Sequence, residues 1–291
     1  MLDLPVPLSH IGEDPALARD IQAALIAAGY LDPPVDGLFG NVSQWALAEY
    51  GRRAGISSRD ALTEQFRSLL FDAQTTLPEP RDGKPWVMKV IAHMRAQNHW
   101  ICRHPECWNI VYVEGVDPDG TPNADTPNQF NDVRLVFQIG ADGAVTSHAW
   151  EGTCEPGRKW TMSPSDRDGA ARIAFGQYKA WGVGMHPMSK RSGQHEALVQ
   201  RFIVPVHRDF NKDFKRTGDK VFADGIFGIN QHWGYDLPVS DIGGASAGCL
   251  VGRTKEGHKE FMRIIKTDAR YKALKGYTFM TAVLDGGKIG L

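Results

Sequence analysis

His232 and Cys249 stand seventeen positions apart (249 − 232), and the cysteine closes the small-residue run Gly243-Gly-Ala-Ser246-Ala-Gly248. These residue types in this layout suit thiol–imidazole acyl transfer. A thiol attacks a carbonyl poorly until it loses its proton, and an imidazole within reach can take that proton and later give it to a leaving amine. Small neighbours let a carbonyl approach the sulfur. The backbone N–H groups of Gly248 and Cys249 are candidate donors to the oxyanion of a tetrahedral intermediate. On residue types alone a second reading stands beside this one: a buried core thiol at Cys249 and a hydrogen-bonded structural histidine at His232.

The elements that must position this pair are read from periodicity. Residues 226–229 form a short apolar run that predicts a buried strand delivering His232, and Gly243, Gly244 and Gly248 free the backbone before Cys249. Residues 109–113, 132–139 and 145–150 are rich in β-branched and aromatic types, with Ala141-Asp142-Gly143 as a hairpin turn between the last two. They predict strands of a mainly antiparallel sheet. Residues 115–131 read as a polar loop, 170–178 and 202–207 as strands, and 185–195 as an exposed loop. After the cysteine, Thr254 predicts the N-cap of a helix with Phe261, Ile264 and Ile265 on its apolar side, followed by a closing strand over 277–284.

The first part of the chain has the helical period instead. Leu17, Ile21 and Leu25 fall at i, i+4 and i+8 between Asp14-Pro15 and Gly29, Trp45, Ala46, Leu47 and Tyr50 lie on a second helix, and a third is predicted from near Ser58 with Leu62, Phe66, Leu69 and Leu70. Residues 72–85 are polar with three prolines and read as a linker, after which Val87, Val90, Ile91 and Met94 mark a further helix. The expected fold class is α+β in two domains. Residues 1–71 form a small three-helix bundle, and 86–291 form a mainly β domain with flanking helices.

Composition removes several function classes. Lys plus Arg number 33 against 34 Asp plus Glu, so no global field points to nucleic acid or an anionic membrane. No apolar run approaches the length of a membrane span. Residues 1–10 lack a basic segment followed by an apolar one, so synthesis in the cytoplasm without a signal peptide is expected. Cys102, His104 and Cys107 offer three zinc ligands without a fourth, so a disulfide or two free thiols is expected there. His186, His195 and His207 invite a metal reading, but no metallopeptidase spacing joins them. Solvent-facing histidines are expected, with no metal and no cofactor.

His232 followed by Ser246-Ala-Gly248-Cys249 resembles the signature of the L,D-transpeptidase (YkuD-type) catalytic domain, a His followed at about this interval by Ser/Thr-x-Gly-Cys. The resemblance extends more loosely from about Asn109 to the C-terminus. It implies acyl transfer on peptidoglycan stem peptides, with Cys249 as nucleophile and His232 as general base and then acid. Ser246 and Gly248 would shape the pocket, and Trp233 and Arg253 would contact substrate. The family usually carries an Arg two residues after the cysteine, where this chain has Val251. In the first part, Gly29-Tyr30, Asp36-Gly37-Leu38-Phe39-Gly40, Ser43, Ala46-Leu47 and Tyr50 resemble peptidoglycan-binding domain 1, with Gly51 where that family has Gln. This second resemblance implies wall anchoring, with Tyr30, Asp36 and Phe39 as candidate contacts, although Phe39 also suits a core anchor.

The leading expectation is a peptidoglycan-active cysteine enzyme, a wall hydrolase of endolysin or effector type that attacks stem-peptide amides through a thioester. It would act in the periplasm or outside the cell, with peptidoglycan as partner and a delivery or export system to bring it there. The alternatives are a biosynthetic L,D-transpeptidase, a metal-dependent wall peptidase and a non-catalytic wall-binding protein.

Overall fold

The computed structural model of the chain describes residues 5–56, 60–72, 77–187, 193–216, 219–222 and 225–291. It opens with a short strand β1 (Val6–Pro7) and helix α1 (Pro15–Ala28). Asp14 caps α1, its carboxylate accepting the N–H groups of Ala16 at 2.9 Å and Leu17 at 3.1 Å, with Pro15 in the first turn. Helix α2 (Asn41–Arg53), strand β2 (Ala61–Leu62) and helix α3 (Glu64–Phe71) follow, and β2 pairs with β1. Helix α3 starts later than its apolar spacing suggests, because Thr63 supplies the cap and Leu62 belongs to the ladder. Ser58 lies outside the described residues. Ile21, Leu25, Leu47, Phe66 and Leu70 form one apolar core between these helices.

The expected linker, 72–85, is only partly a connector. Residues 73–76 are outside the described set, but Arg81 donates its N–H to the Gly143 carbonyl at 2.9 Å and Asp82 accepts from Val145 N–H at 2.6 Å. This stretch is therefore strapped along a hairpin of the sheet, where its extended backbone finds partners. Ion pairs fasten the helices to the rest of the chain. Asp32 is fully buried and meets Lys179 at 2.8 Å and Arg270 at 3.8 Å, and the buried ring of His104 meets Glu49 at 2.9 Å.

Helix α4 (Pro85–Ala96) leads into strands β3 (Asn109–Glu114), β4 (Asp132–Ile139) and β5 (Val145–Thr153), then helix α5 (Arg158–Met162) and strands β6 (Ala170–Ile173), β7 (Gly176–His186), β8 (His195–Gln200), β9 (Val206–Asp209) and β10 (Val221–Phe222). Strands β11 (Gln231–Trp233) and β12 (Leu250–Gly252), helices α6 (Lys255–Ile265) and α7 (Ala269–Ala273) and strand β13 (Thr278–Asp285) complete the chain. Eight strands close into a barrel in the order β11-β12-β5-β4-β3-β13-β7-β8, and β10-β9-β6 form a separate sheet. The architecture is mixed α+β with a large, mainly sheet part. Most joins are antiparallel, but β13 on β3 and β11 on β12 are parallel.

Alternation along the strands builds two cores. Ile110, Tyr112 and Val136 share one with Trp181, Leu198, Leu250 and the α6 residue Phe261. Val111, Val113, Leu135 and Phe137 face the other way, against Val87, Val90 and Met94 of α4. With both faces covered, β3 and β4 read as continuous apolar runs.

Three local readings differ from the periodicity. The run over 170–178 divides into β6 and the start of β7. The stretch over 202–207 enters a strand only at Val206. Residues 226–229 are irregular: Gly228 has φ +75°, Ile226 is exposed and only Ile229 is buried, so the strand carrying His232 begins at Gln231. The capped helix after Thr254 is present, with Gly257 N–H bound to the threonine hydroxyl at 3.2 Å.

Candidate active site

Strands β11 and β12 pair with Gln231 beside Leu250, His232 beside Val251 and Trp233 beside Gly252. The Leu250 N–H donates to the Asn230 carbonyl at 3.0 Å, which extends the pairing back and sets Cys249 alongside Asn230. Because alternate residues share a face, Cys249, Asn230 and His232 lie on one side of this parallel pair and Gln231 with Leu250 on the other. Gln231 and Leu250 are fully buried, and the Gln231 amide donates to Thr281 Oγ1 at 2.8 Å. Seventeen residues of separation are thus reduced to diagonal neighbours on adjacent strands.

The turn before Cys249 is fastened from within. Buried Ser246 donates its hydroxyl to the Cys249 carbonyl at 2.9 Å and accepts the Gly248 N–H at 3.1 Å. Gly248 has φ +122°, and a Cβ built there would stand 2.3 Å from the Ala171 carbonyl oxygen on β6. Only glycine fits. The Gly248 N–H is therefore occupied, which corrects its assignment as an oxyanion donor. No hydrogen bond from the Cys249 N–H is formed among the described residues, so it is the donor of the two that stays available.

The Cys249 side chain is half-buried; its thiol donates to the Gly228 carbonyl and accepts the Asn230 N–H, both at 3.5 Å. Burial pushes the thiol up to about 11, and the Asn230 N–H opposes that rise. His232 is buried, and its Nδ1 donates to the Trp233 carbonyl at 2.8 Å. This contact puts the proton on Nδ1 and leaves Nε2 to accept another. Burial, then the His186 ring stacked on it at 3.8 Å with 5° between planes, hold His232 well below the ordinary imidazole range. The resting pair is a neutral thiol and a neutral imidazole. Alkylation of Cys249 by iodoacetamide is therefore expected to be slow at neutral pH and to climb toward pH ~11, with no plateau in the acidic range. A rate constant already maximal at pH 6 would show a preformed thiolate instead.

Four residues that bear on this pair carry no local signal in the sequence. Arg134, fully buried on β4, donates to the carbonyls of His232 at 3.0 Å and Leu250 at 3.4 Å, to the Tyr112 hydroxyl at 2.5 Å, and to His258 Nδ1 at 3.1 Å. It ties β11 to β12 at the level of the base, and Gly252 leaves it room, since a Cβ there would stand 2.3 Å from its guanidinium. Asn230 and His186 are joined by a 2.9 Å hydrogen bond, and Tyr235, at φ +60°, holds its ring 6.0 Å from that of His232. Arg134→Met leaves several buried acceptors unpaired at ~1–3 kcal/mol each, and Arg134→Lys cannot restore the fork. Both variants are expected to melt at lower temperature, as measured by calorimetry. Wild-type melting of the methionine variant would show that the guanidinium is dispensable.

The histidines expected to face solvent divide. His186 and His195 are opposite each other on β7 and β8, half-buried and flanking His232, whereas His207 lies on the separate sheet. The loop expected over 185–195 is the end of that hairpin, and residues 188–192 fall outside the described set. His195 accepts the Trp233 N–H at 3.2 Å on Nε2 and bonds the Gly193 carbonyl at 2.8 Å through Nδ1. His258 bonds the Glu196 carbonyl at 2.8 Å through Nε2 and receives Arg134 on Nδ1. With His186 Nδ1 taken by Asn230, the acceptor nitrogens of His186, His195 and His258 are engaged by protein donors, whereas His232 Nε2 is left open and His207 Nδ1, on the separate sheet, is buried without a hydrogen-bond partner. His104 likewise uses both nitrogens, on Glu49 and on the Glu106 N–H at 3.2 Å. Cys102, Cys107, Cys154 and Cys249 are all free thiols.

The proposed substrate contacts also divide. Trp233 lines a pocket beside the histidines. Arg253 is held by Glu151 at 2.5 Å and the Leu237 carbonyl at 3.2 Å, so its charge is already matched. Tyr30 and Phe39 are packed into the helical core, Tyr30 edge-on to Tyr50 at 5.2 Å, and are not presented to a polymer. Asp36 fastens its own turn, accepting from Gln22 at 2.7 Å and the Leu38 N–H at 2.8 Å, and borders a cavity of about 540 Å³ between the helices and the barrel. Val251 is fully buried against Phe130, Ile242 and Ala245.

No family model and no curated protein matches the sequence. Among solved structures, the chain is similar to a fused Zn-dependent amidase/peptidase/peptidoglycan-binding domain-containing protein from Clostridium acetobutylicum, at 14% identity and a TM-score of 0.30, over 97% of this chain and 98% of that one. It is also similar to an L,D-transpeptidase from Xylanimonas cellulosilytica, at 16% identity and a TM-score of 0.25, over 91% of this chain and 92% of that one. At such scores neither likeness identifies the chemistry, which is read from this chain's own residues.

Proposed function

We propose that the protein is a peptidoglycan-active cysteine enzyme that cleaves stem-peptide amide bonds through a thioester on Cys249. The observation that carries this reading is the β11–β12 register, which sets Cys249 and His232 on one face beside a fixed imidazole tautomer. As the sulfur attacks the amide carbon, its proton passes to His232 Nε2 and the oxyanion forms against the Cys249 N–H. The imidazolium then protonates the amine nitrogen, the C–N bond breaks and the acyl group remains on sulfur. Water, deprotonated by His232, attacks the thioester and releases the carboxylic acid and the thiol.

Hydrolysis is favoured over cross-linking by what surrounds the sulfur. Position 251 offers a buried methyl surface, and Arg253 is committed to Glu151. A second stem peptide therefore lacks a cation at these positions to hold it in place of water. The helices of the first part, with the Asp36-Gly37-Leu38-Phe39-Gly40 turn, would anchor the enzyme to the wall. Expression with a periplasmic export signal, beside the Cys249→Ala variant, tests the direction. Lysis and cleaved stems with the wild type alone support degradation, whereas unchanged growth with new cross-linked muropeptides supports a transpeptidase.

A further inference from the structure

Asn230 stands one residue before β11 and is buried. Its backbone N–H donates to Cys249 Sγ at 3.5 Å, while its side-chain amide bridges β8 and β7. That amide can lie only one way round. Its Oδ1 accepts the Gln200 N–H at 2.9 Å, a backbone donor that only the oxygen can meet, so Nδ2 is the end that faces His186 Nδ1 at 2.9 Å. Gln200 is itself held, its side chain accepting the Ile229 N–H at 2.8 Å and donating to the Phe202 carbonyl at 2.9 Å. An amide nitrogen has only protons to offer. His186 Nδ1 is therefore the bare nitrogen, and the neutral ring carries its proton on Nε2. A second proton on Nδ1 would set two donors against each other, and burial, then the neighbouring His195, push the His186 imidazole down to about 4.

This locked ring is the one that stacks on His232, with centroids 3.8 Å apart and 5° between planes. Around the two rings stand His195 of β8, 5.6 Å from His186, His258 of α6, Arg134 of β4 on the His232 carbonyl, and Tyr235, 6.0 Å from His232. No carboxylate forms an ion pair with either imidazole among the described residues. When His232 takes the thiol proton, a second cation at stacking distance would drive that proton off again, whereas a neutral ring does not. We propose that Asn230 is a positioning residue: by holding His186 neutral and protonated on Nε2, it keeps His232 the single proton acceptor of the stacked pair, free to act as base and then as acid. The inference rests on reading Cys249 and His232 as the reacting pair.

Asn230→Asp tests this on the full-length protein, since aspartate keeps the shape and the acceptor for Gln200 but turns a carboxylate toward His186. An opposite charge at this distance raises the titration of an imidazole by ~1–3 pH units, so His186 is expected to charge near pH ~6 and to oppose protonation of His232 below it. In this variant kcat/KM on a soluble muropeptide should fall ~3-fold or more from pH 8 to pH ~5.5, against a nearly flat wild type. Adding His186→Phe, which keeps an aromatic stack and cannot titrate, should flatten the profile again, whatever its absolute level. A loss without pH dependence in Asn230→Asp, or a slope that survives His186→Phe, overturns the proposal. Imidazole ¹⁵N spectra, with His186 assigned through His186→Phe, read the lock without turnover. The expected wild-type ring has a protonated Nε2 and a bare Nδ1 from about pH 6 to 9, and in Asn230→Asp it moves toward two protonated nitrogens by pH ~5.5. A mixture of tautomers or an Nδ1 proton in the wild type overturns the lock and leaves the reading of Cys249 and His232 untouched. The expected spectra with no muropeptide cleaved support the lock and count against the reaction alone.

Discussion

Cys249→Ala is expected to abolish the proposed turnover, with a fall of ~10³-fold or more in kcat on soluble muropeptides and little change in melting temperature. Among the described residues of β11 and β12 and the turn before β12, Cys249 is the nucleophile on the His232 face, and alanine would remove the attacking atom of the proposed thioester. The side chain is half-buried and its two hydrogen bonds are weak contacts at 3.5 Å, so the fold loses little. His232→Ala should lose ~10²–10⁴-fold, because the thiol, pushed up to about 11, is protonated at neutral pH without a base to relieve it. Neither group titrates near neutrality, so kcat/KM for the wild type is expected to be flat from about pH 6 to 9. His232 held well below the imidazole range remains a base across that window, and the thiol keeps the one proton to be moved. A sigmoidal rise centred near pH 6.5 would mean that the imidazole is not held down by burial and by His186.

Gly248→Ala is the second large effect, and it acts through the turn that holds Cys249. A methyl at this position meets the Ala171 carbonyl oxygen at 2.3 Å, and φ +122° is a conformation that alanine adopts only at a cost of ~1–3 kcal/mol. Relief requires the turn to move away from β6 and to take Cys249 with it. A displacement of ~1 Å at the nucleophile is enough for a loss of ~10² in turnover. The variant is expected to melt lower than Cys249→Ala and to be nearly as inactive. If it retained wild-type activity, the turn fastened by Ser246 would not be what sets the sulfur.

Much of the fold could be read from local pattern. Asp14-Pro15 and Thr254 announced their helices because capping is settled within a few residues. Strands β3 and β4 were visible as apolar, β-branched runs, since both of their faces are buried. Barrel closure was not legible, because the parallel joins of β13 to β3 and of β11 to β12 are made between segments with no sequence signal for each other. The stretch over 226–229 misled for a related reason: apolar content predicts burial, but Gly228 breaks the strand and leaves Ile226 in solvent.

The candidate site was legible only where its residues are close in sequence. The run from Ser246 to Cys249 and the preceding His232 stood out by type and spacing. Arg134, lying 98 residues before the carbonyl it holds, did not, and neither did His186, whose stacking on His232 depends on β7 and β8 meeting β11 in the barrel. Tyr30 and Phe39 show the opposite error. Aromatic residues in a binding-module motif look like ligand contacts, but here they fill the small core that the helices need.

The central claim is that Cys249 carries the acyl group. Acid-quenched protein, taken during turnover of a soluble muropeptide and analysed by intact and peptide-level mass spectrometry, tests it directly. The predicted result is a transient adduct of the acyl fragment's mass on the peptide containing Cys249, absent from Cys249→Ala and long-lived in no other variant except those slowed at His232. Continued cleavage by Cys249→Ala, or turnover that proceeds with Cys249 unmodified and stops on addition of a chelator, would contradict it.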